Sequence, residues 1–142
     1  MYIKTVMIVD DDEDDRLLFC EALLIADPTS RVLTATNGEN ALKVLMNPED
    51  TLPDFIFLDL NMPKMNGWQC LQQLRKIEIL KYTPVIIFTT SKENQDFVKM
   101  KLLGNVHFFT KPPKFTSLVN GIQCVLNEEW ISIKELNKVA HG

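Results

Sequence analysis

The stretch MIVDDDEDDR, residues 7–16, runs three apolar residues directly into six consecutive acids at positions 10–15. The apolar side continues a run rich in β-branched residues (2–9), which reads as a buried strand. The acidic side opens a helical pattern over 14–26, in which Leu17, Leu18, Cys20, Ala22 and the pair Leu24/Ile25 form the expected apolar stripe and Asp27-Pro28 the stop. The stretch is therefore a joint between a strand and a helix, and its acids sit at that joint.

The same joint recurs. Further short apolar runs occupy 31–36, 54–58, 84–88 and 106–109, and helical patterns lie between or after them at 39–46, 67–77, 93–103 and 115–128. Strict alternation of strands and helices predicts an α/β doubly wound parallel sheet with helices on both faces, because parallel neighbours need crossovers. The near-continuous apolarity of FIFL (55–58) and VIIF (85–88) puts those two strands mid-sheet. Residues 1–128 are expected to form this domain and 129–142 a helical extension. In the extension, Leu126, Trp130, Ile133, Leu136 and Ala140 recur on one helical face. Either a lengthened last helix folds back on its own domain, the simpler reading, or an exposed stripe docks a second copy or another partner.

At 142 residues the chain fits one domain. Its net charge of -4 is local in origin: without the six acids at 10–15 it carries 13 acids against 15 bases. A local acidic basin attracts cations, and no basic groove suggests nucleic acid as a partner. Cys20, Cys70 and Cys124 are odd in number and far apart, which predicts small core residues in a reduced, cytoplasmic chain. No apolar run approaches membrane-spanning length, so no membrane association is expected.

In open parallel sheets ligands bind beyond the carboxyl ends of the strands. Asp10 and Asp11 follow the first run, Asp59 the third, Thr89 the fourth, and Lys111 comes shortly after the fifth. One rim would then gather three carboxylates, a hydroxyl and an ammonium. A run of acids alone is most often a solvated helix start, and Asp12 to Asp15 suit that role beside the positive end of a helix dipole. Asp59 is different, because it ends an apolar strand where an unpaired charge is costly. An all-oxygen cluster suits Mg2+. Lys111 would grip phosphate as a movable point charge, and Pro112 with Pro113 suggests a fixed turn, for which a cis X-Pro bond is available. A carboxylate beside Mg2+ and Lys is equipped to attack phosphorus and form an aspartyl phosphate. Asp54, at the other end of its strand, reads as surface.

The marks IVDDD, FIFLDLNMPKMNGW, PVIIFTTS and FFTKPP together resemble response-regulator receiver domains of two-component signalling, over about residues 5–126. The resemblance implies a flavodoxin-like five-stranded sheet in the order 2-1-3-4-5 with five flanking helices. It implies that Asp59 accepts phosphate from a sensor histidine kinase, that Asp10, Asp11, Asp59 and the backbone carbonyl of Asn61 hold Mg2+, and that Thr89 and Lys111 bind the phosphoryl group. Phe108 takes the place of the switch aromatic, while Met62, Pro63, Gly67 and Pro112 belong to structural turns, Gly67 being expected to supply a backbone geometry other residues resist. Thr90 stands where a smaller residue is usual and is expected to narrow access to the site. Phe108 lacks the phenol of the more usual Tyr, and GNVHFF (104–109) replaces a frequent Gly-Ala. The TTS run and the extension are similar to small stand-alone receivers that serve phytochrome-type kinases.

The expected function is a phosphorylation switch, not an enzyme, signalling through a downstream protein or phosphotransfer partner, with homodimerisation an open outcome. His107 and His141 are assigned no phosphorelay role. The alternatives are a metal-dependent phosphatase of the haloacid dehalogenase type, which wants an acid where Asn61 stands, a binding module that takes no phosphate, and a flavin-binding relative lacking the glycine loop.

Overall fold

Residues 2–47, 49, 51–63, 65–90 and 97–141 are described by a computed structural model. Five strands, β1 (Thr5–Val9), β2 (Arg31–Ala35), β3 (Phe55–Leu58), β4 (Val85–Thr89) and β5 (Val106–Thr110), form one parallel sheet in the order β2-β1-β3-β4-β5. The helices are α1 (Glu13–Ala26), α2 (Gly38–Met46), α3 (Gly67–Leu74), α4 (Phe97–Lys101), α5 (Phe115–Leu126) and α6 (Trp130–His141), with a 3-10 turn at Glu78–Leu80. The fold class and strand order are those expected, and among the described residues a sixth helix, α6, lies in the extension beyond the five expected to flank the sheet. The expected start of the fourth helix at 93 lies outside the described residues.

Every residue of β1, β3 and β4 is buried, which is why their sequences are apolar at consecutive positions. Alternation along these strands feeds two cores. Met7, Val9, Ile56, Leu58 and Ile87 face Ala41, Cys70, Leu71 and Leu74, whereas Val6, Ile8, Phe57, Ile86 and Phe88 face Phe19, Leu23, Ile122 and Val125.

The buried stripe of α1 differs from the expected one. Phe19, Ala22 and Leu23 face the core, while Leu17, Leu18, Leu24 and Ile25 are exposed and Cys20 is half-buried. This helix is apolar on more than one side, so periodicity alone admits two stripes. Phe19 decides between them by packing edge-on to Phe57, with ring centroids 4.7 Å apart, and to Phe88 at 5.9 Å.

Helix α3 stops at Leu74, short of the expected 77, where Arg75 begins a carbonyl clamp. Its guanidinium donates to the carbonyls of Leu103, Leu80, Thr83, Gly104 and Asn105 at 2.7–3.2 Å, tying together the segments that lead into β4 and β5. Gly104 (φ 79°) and Asn105 (φ 47°) turn the chain from α4 into β5 through the left-handed region.

The last helix is broken. Glu128 adopts φ 56° after α5, and α6 returns as a separate helix against β5 and α5 instead of prolonging α5. Ile133 is fully buried, and Trp130 stacks flat on His107 at 3.6 Å. Burial and the flanking charges of Lys101 and Lys134 push the His107 pKa down to about 4, so a neutral ring lies in that stack. Asn137 closes the open edge of the sheet: its side-chain amide donates to the Phe108 carbonyl at 2.8 Å and its oxygen accepts from the Thr110 amide at 2.9 Å. The side chains of Ala140 and His141 lie outside the described ones. Asn137→Ala is expected to cost about 1–2 kcal/mol in urea unfolding by removing these two edge hydrogen bonds; an unchanged midpoint would show that the clasp contributes nothing.

Candidate functional site

The sheet ladders continue past the strand ends and set the rim. The Asp10 amide donates to Ala35 O and the Asp59 amide to Val9 O, each at 3.0 Å, while the Lys111 amide donates to Thr89 O at 3.1 Å. Parallel pairing therefore brings residues 10, 59, 89 and 111 to one edge despite wide separation in sequence.

Asp10, Asp11 and Asp59 each offer a carboxylate oxygen, all within 4.8 Å of one another. Asp10 is fully buried, Asp59 is 6% exposed and Asp11 is open to solvent. The Asp12 amide donates to Asp10 Oδ1 at 3.0 Å, and the Asn61 amide donates to Asp59 Oδ1 at 3.3 Å. Lys111 Nζ lies 2.6 Å from Asp10 Oδ2, 2.8 Å from Asp15 Oδ2 and 3.6 Å from Asp59 Oδ2, and 5.4 Å above the Phe88 ring. Three carboxylates, that of Asp11 open to solvent, fit a divalent cation of the Mg2+ type.

Burial raises the Asp59 pKa, and the charge of Asp10 raises it further, against the opposing influence of Lys111, the Asn61 amide and the neighbouring Thr89 hydroxyl. Burial alone would depress the Lys111 pKa, but hydrogen bonds to Asp10 and Asp15, with the charge of Asp59, push it up. Lys111 is thus a fixed cation.

Thr89 is 4% exposed, and its hydroxyl has no hydrogen-bond partner among the described residues. A buried hydroxyl left without a hydrogen bond of ordinary length beside these carboxylates is suited to an incoming oxygen. Thr90, next to it, is exposed. Phe108 is half-buried, edge-on to Phe97 at 4.6 Å, and a narrow gap lies between Thr89, Phe97 and Phe108.

The turn after Asp59 buries Met62 and leaves Asn61 and Pro63 exposed. Gly67 is needed here for close approach and not, as expected, for unusual dihedrals, since Gly104 alone among the described glycines has positive φ. A Cβ at Gly67 would lie 2.5 Å from Asp59 O and 2.6 Å from Leu60 Cα. The half-buried Pro112 follows a trans bond, for no described peptide bond is cis. Lys111 is aimed by its ladder bond and its carboxylate partners instead. Asp54 is likewise more than surface, because it accepts from the Thr5 amide at 2.8 Å and from the Tyr2 hydroxyl.

Sequence reasoning missed Asp15, which was taken as part of a solvated helix start. The only signal was its place one turn into α1, where Asp12 caps the helix and accepts from the Asp15 amide at 3.1 Å.

The family model for the response regulator receiver domain matches residues 6–123. The chain belongs to this family. It is 30% identical to PilG of Pseudomonas aeruginosa over 83% of this chain and 84% of that one. It is also 34% identical over 107 residues to the sensor histidine kinase CheAY of Helicobacter pylori, of which it spans 13%. Among solved structures, this receiver is similar to the phosphorylated cyanobacterial phytochrome response regulator RcpA, with a TM-score of 0.78 and 29% identity, covering 92% of this chain and 96% of that one. It is similar also to the Mn2+-bound form of response regulator Rcp1, with a TM-score of 0.73 and 27% identity, covering 86% and 91%. No helix of the described residues is long and apolar enough to cross a membrane.

The raised Asp59 pKa carries a sign for stability. The folded receiver holds the Asp59 proton more tightly than the unfolded chain, so this group favours folding at low pH and the advantage is lost as pH rises through its folded pKa. In divalent-free buffer at neutral pH, Asp59→Asn is therefore expected to be more stable in urea than the unaltered chain, with the difference closing as the buffer is acidified. Lower stability of the variant at neutral pH would contradict the described electrostatics.

Proposed function

We propose that this chain is a response-regulator receiver that accepts a phosphoryl group on Asp59 from a sensor histidine kinase and thereby remodels a protein-binding face. The observation that carries the reading is the convergence of Asp10, Asp11 and Asp59 within 4.8 Å beside Lys111, with the unpaired Thr89 hydroxyl on the neighbouring strand.

Asp10, Asp11, Asp59 and the Asn61 carbonyl would hold Mg2+, which when bound supplies positive charge beside the transferring phosphoryl oxygens. An Asp59 oxygen forms the new bond to phosphorus as the bond from phosphorus to the donor nitrogen, or to the acyl oxygen of acetyl phosphate, breaks. Lys111 neutralises an equatorial oxygen, and positioning with charge supplies most of the rate. Thr89 donates its hydroxyl to a phosphoryl oxygen, and its inward shift opens space toward which Phe108 turns. Phosphate then favours the turned form through these added contacts. Thr90 borders access to the site, while Met62, Pro63, Gly67 and Pro112 keep its turns in place.

Signalling passes to a downstream protein or phosphotransfer partner through the face of α4, β5 and α5, part of which α6 covers, in a cytoplasmic setting that suits three free cysteines. Monoester hydrolysis is disfavoured, because Asn61 stands where a phosphatase of the haloacid dehalogenase type places its general acid. Intact-mass measurement with acetyl phosphate and Mg2+ is expected to find one phosphoryl group on the unaltered chain and none on Asp59→Asn. Thr89→Ala should still be phosphorylated but lose the accompanying change at Phe108, read by amide shifts in β5. Equal uptake by Asp59→Asn would refute the assignment.

A further inference from the structure

We infer that Asp15 is a positioning residue of the phosphoryl site: its carboxylate holds the Lys111 ammonium off Asp59 until a phosphoryl oxygen displaces it. The inference rests on the proposed phosphoacceptor role of Asp59 and adds what sets the strength of anion capture there.

An ammonium has three N–H groups. Two of those of Lys111 are engaged by Asp10 at 2.6 Å and Asp15 at 2.8 Å, while Asp59 at 3.6 Å lies beyond hydrogen-bond length. The cation nearest the proposed acceptor is thus committed elsewhere. The third N–H is open to an incoming phosphoryl oxygen, and drawing Nζ from its present 3.6 Å toward the Asp59 side lengthens the bond to one of the two existing partners.

The two partners differ in how readily they let go. Asp10 is fully buried and also tied to the Asp12 amide, so breaking its bond to Lys111 would strand a buried charge. The Asp15 side chain is 39% exposed, and water replaces a lost bond there at small cost. Asp15 is nonetheless well aimed, since α1 is capped by Asp12, anchored through Arg16 Nη1 to the Asp10 carbonyl at 2.7 Å, and packed through Phe19.

A helix-dipole role alone does not account for this contact. Glu13 and Asp14 carry the same charge on the same turn and form no salt bridge among the described residues. Asp15 alone of the three reaches the site. Its carboxylate competes with the phosphoryl group for Lys111, so it weakens retention of the anion and favours return of the cation when the anion leaves.

The full chain, with Asp15→Asn, Asp15→Glu and Asp14→Asn, is titrated with beryllofluoride at Mg2+ concentrations that saturate each variant, and occupancy is read by fluorine NMR. Asp15→Asn is expected to lower the half-saturating concentration roughly two- to fivefold, the range for a partly exposed ion pair. Asp15→Glu should lie near the unaltered chain. Asp14→Asn, which removes the same helix-start charge without touching Lys111, should not move it. No shift for Asp15→Asn, or equal shifts for Asp15→Asn and Asp14→Asn, would overturn the inference while leaving the phosphoacceptor reading intact. Failure of the unaltered chain to bind beryllofluoride with Mg2+ would overturn both.

Discussion

One ammonium set among clustered carboxylates is the constraint on which the structure depends. Asp10, Asp11 and Asp59 are close enough to repel one another, two of them are buried, and Lys111 is the cation that the fold brings among them. Backbone pairing along β1, β3, β4 and β5 enforces this closeness, so the fold carries an electrostatic cost that a divalent ion would relieve. A site built this way attracts positive charge, which is what the proposed phosphoryl transfer requires of it.

Changes at that rim have a short route outward. Thr89 and Phe108 lie on adjacent strands, separated by a narrow gap, and Phe97 of α4 closes over Phe108. The backbone on either side of Phe109 is held by Asn137 from α6, and the far end of β5 is led in by a turn clamped through Arg75. β5 is consequently held along its outer edge and at its start, while the Phe108 ring borders the narrow gap beside Thr89.

Much of this was legible in the sequence for physical reasons. Consecutive apolar residues in the strands report burial on both faces, and acids following them report strand ends at a shared rim, so the sheet and the cluster of Asp10, Asp11, Asp59, Thr89 and Lys111 could be read together. Other features depend on information that periodicity does not hold. The face of α1 was misread because leucines lie on several sides and only the size of Phe19 selects one. Asp15 looked like its neighbours because its role depends on where the Lys111 side chain ends. Gly67 was given a conformational reason when the cause is contact with the Asp59–Leu60 backbone. The break before α6 follows from the left-handed turn at Glu128, a residue with no glycine-like signature.

The most direct measurement locates the phosphoryl group. The chain is treated with acetyl phosphate, with and without Mg2+, and reduced with borohydride, which converts an acyl phosphate of aspartate to homoserine; peptides are then sequenced by mass spectrometry. Homoserine at position 59, dependent on Mg2+, is the expected result. Homoserine at position 10 or 11 instead, or none at 59 with the metal present, would contradict the assignment of Asp59 as the acceptor in a shared metal and lysine site.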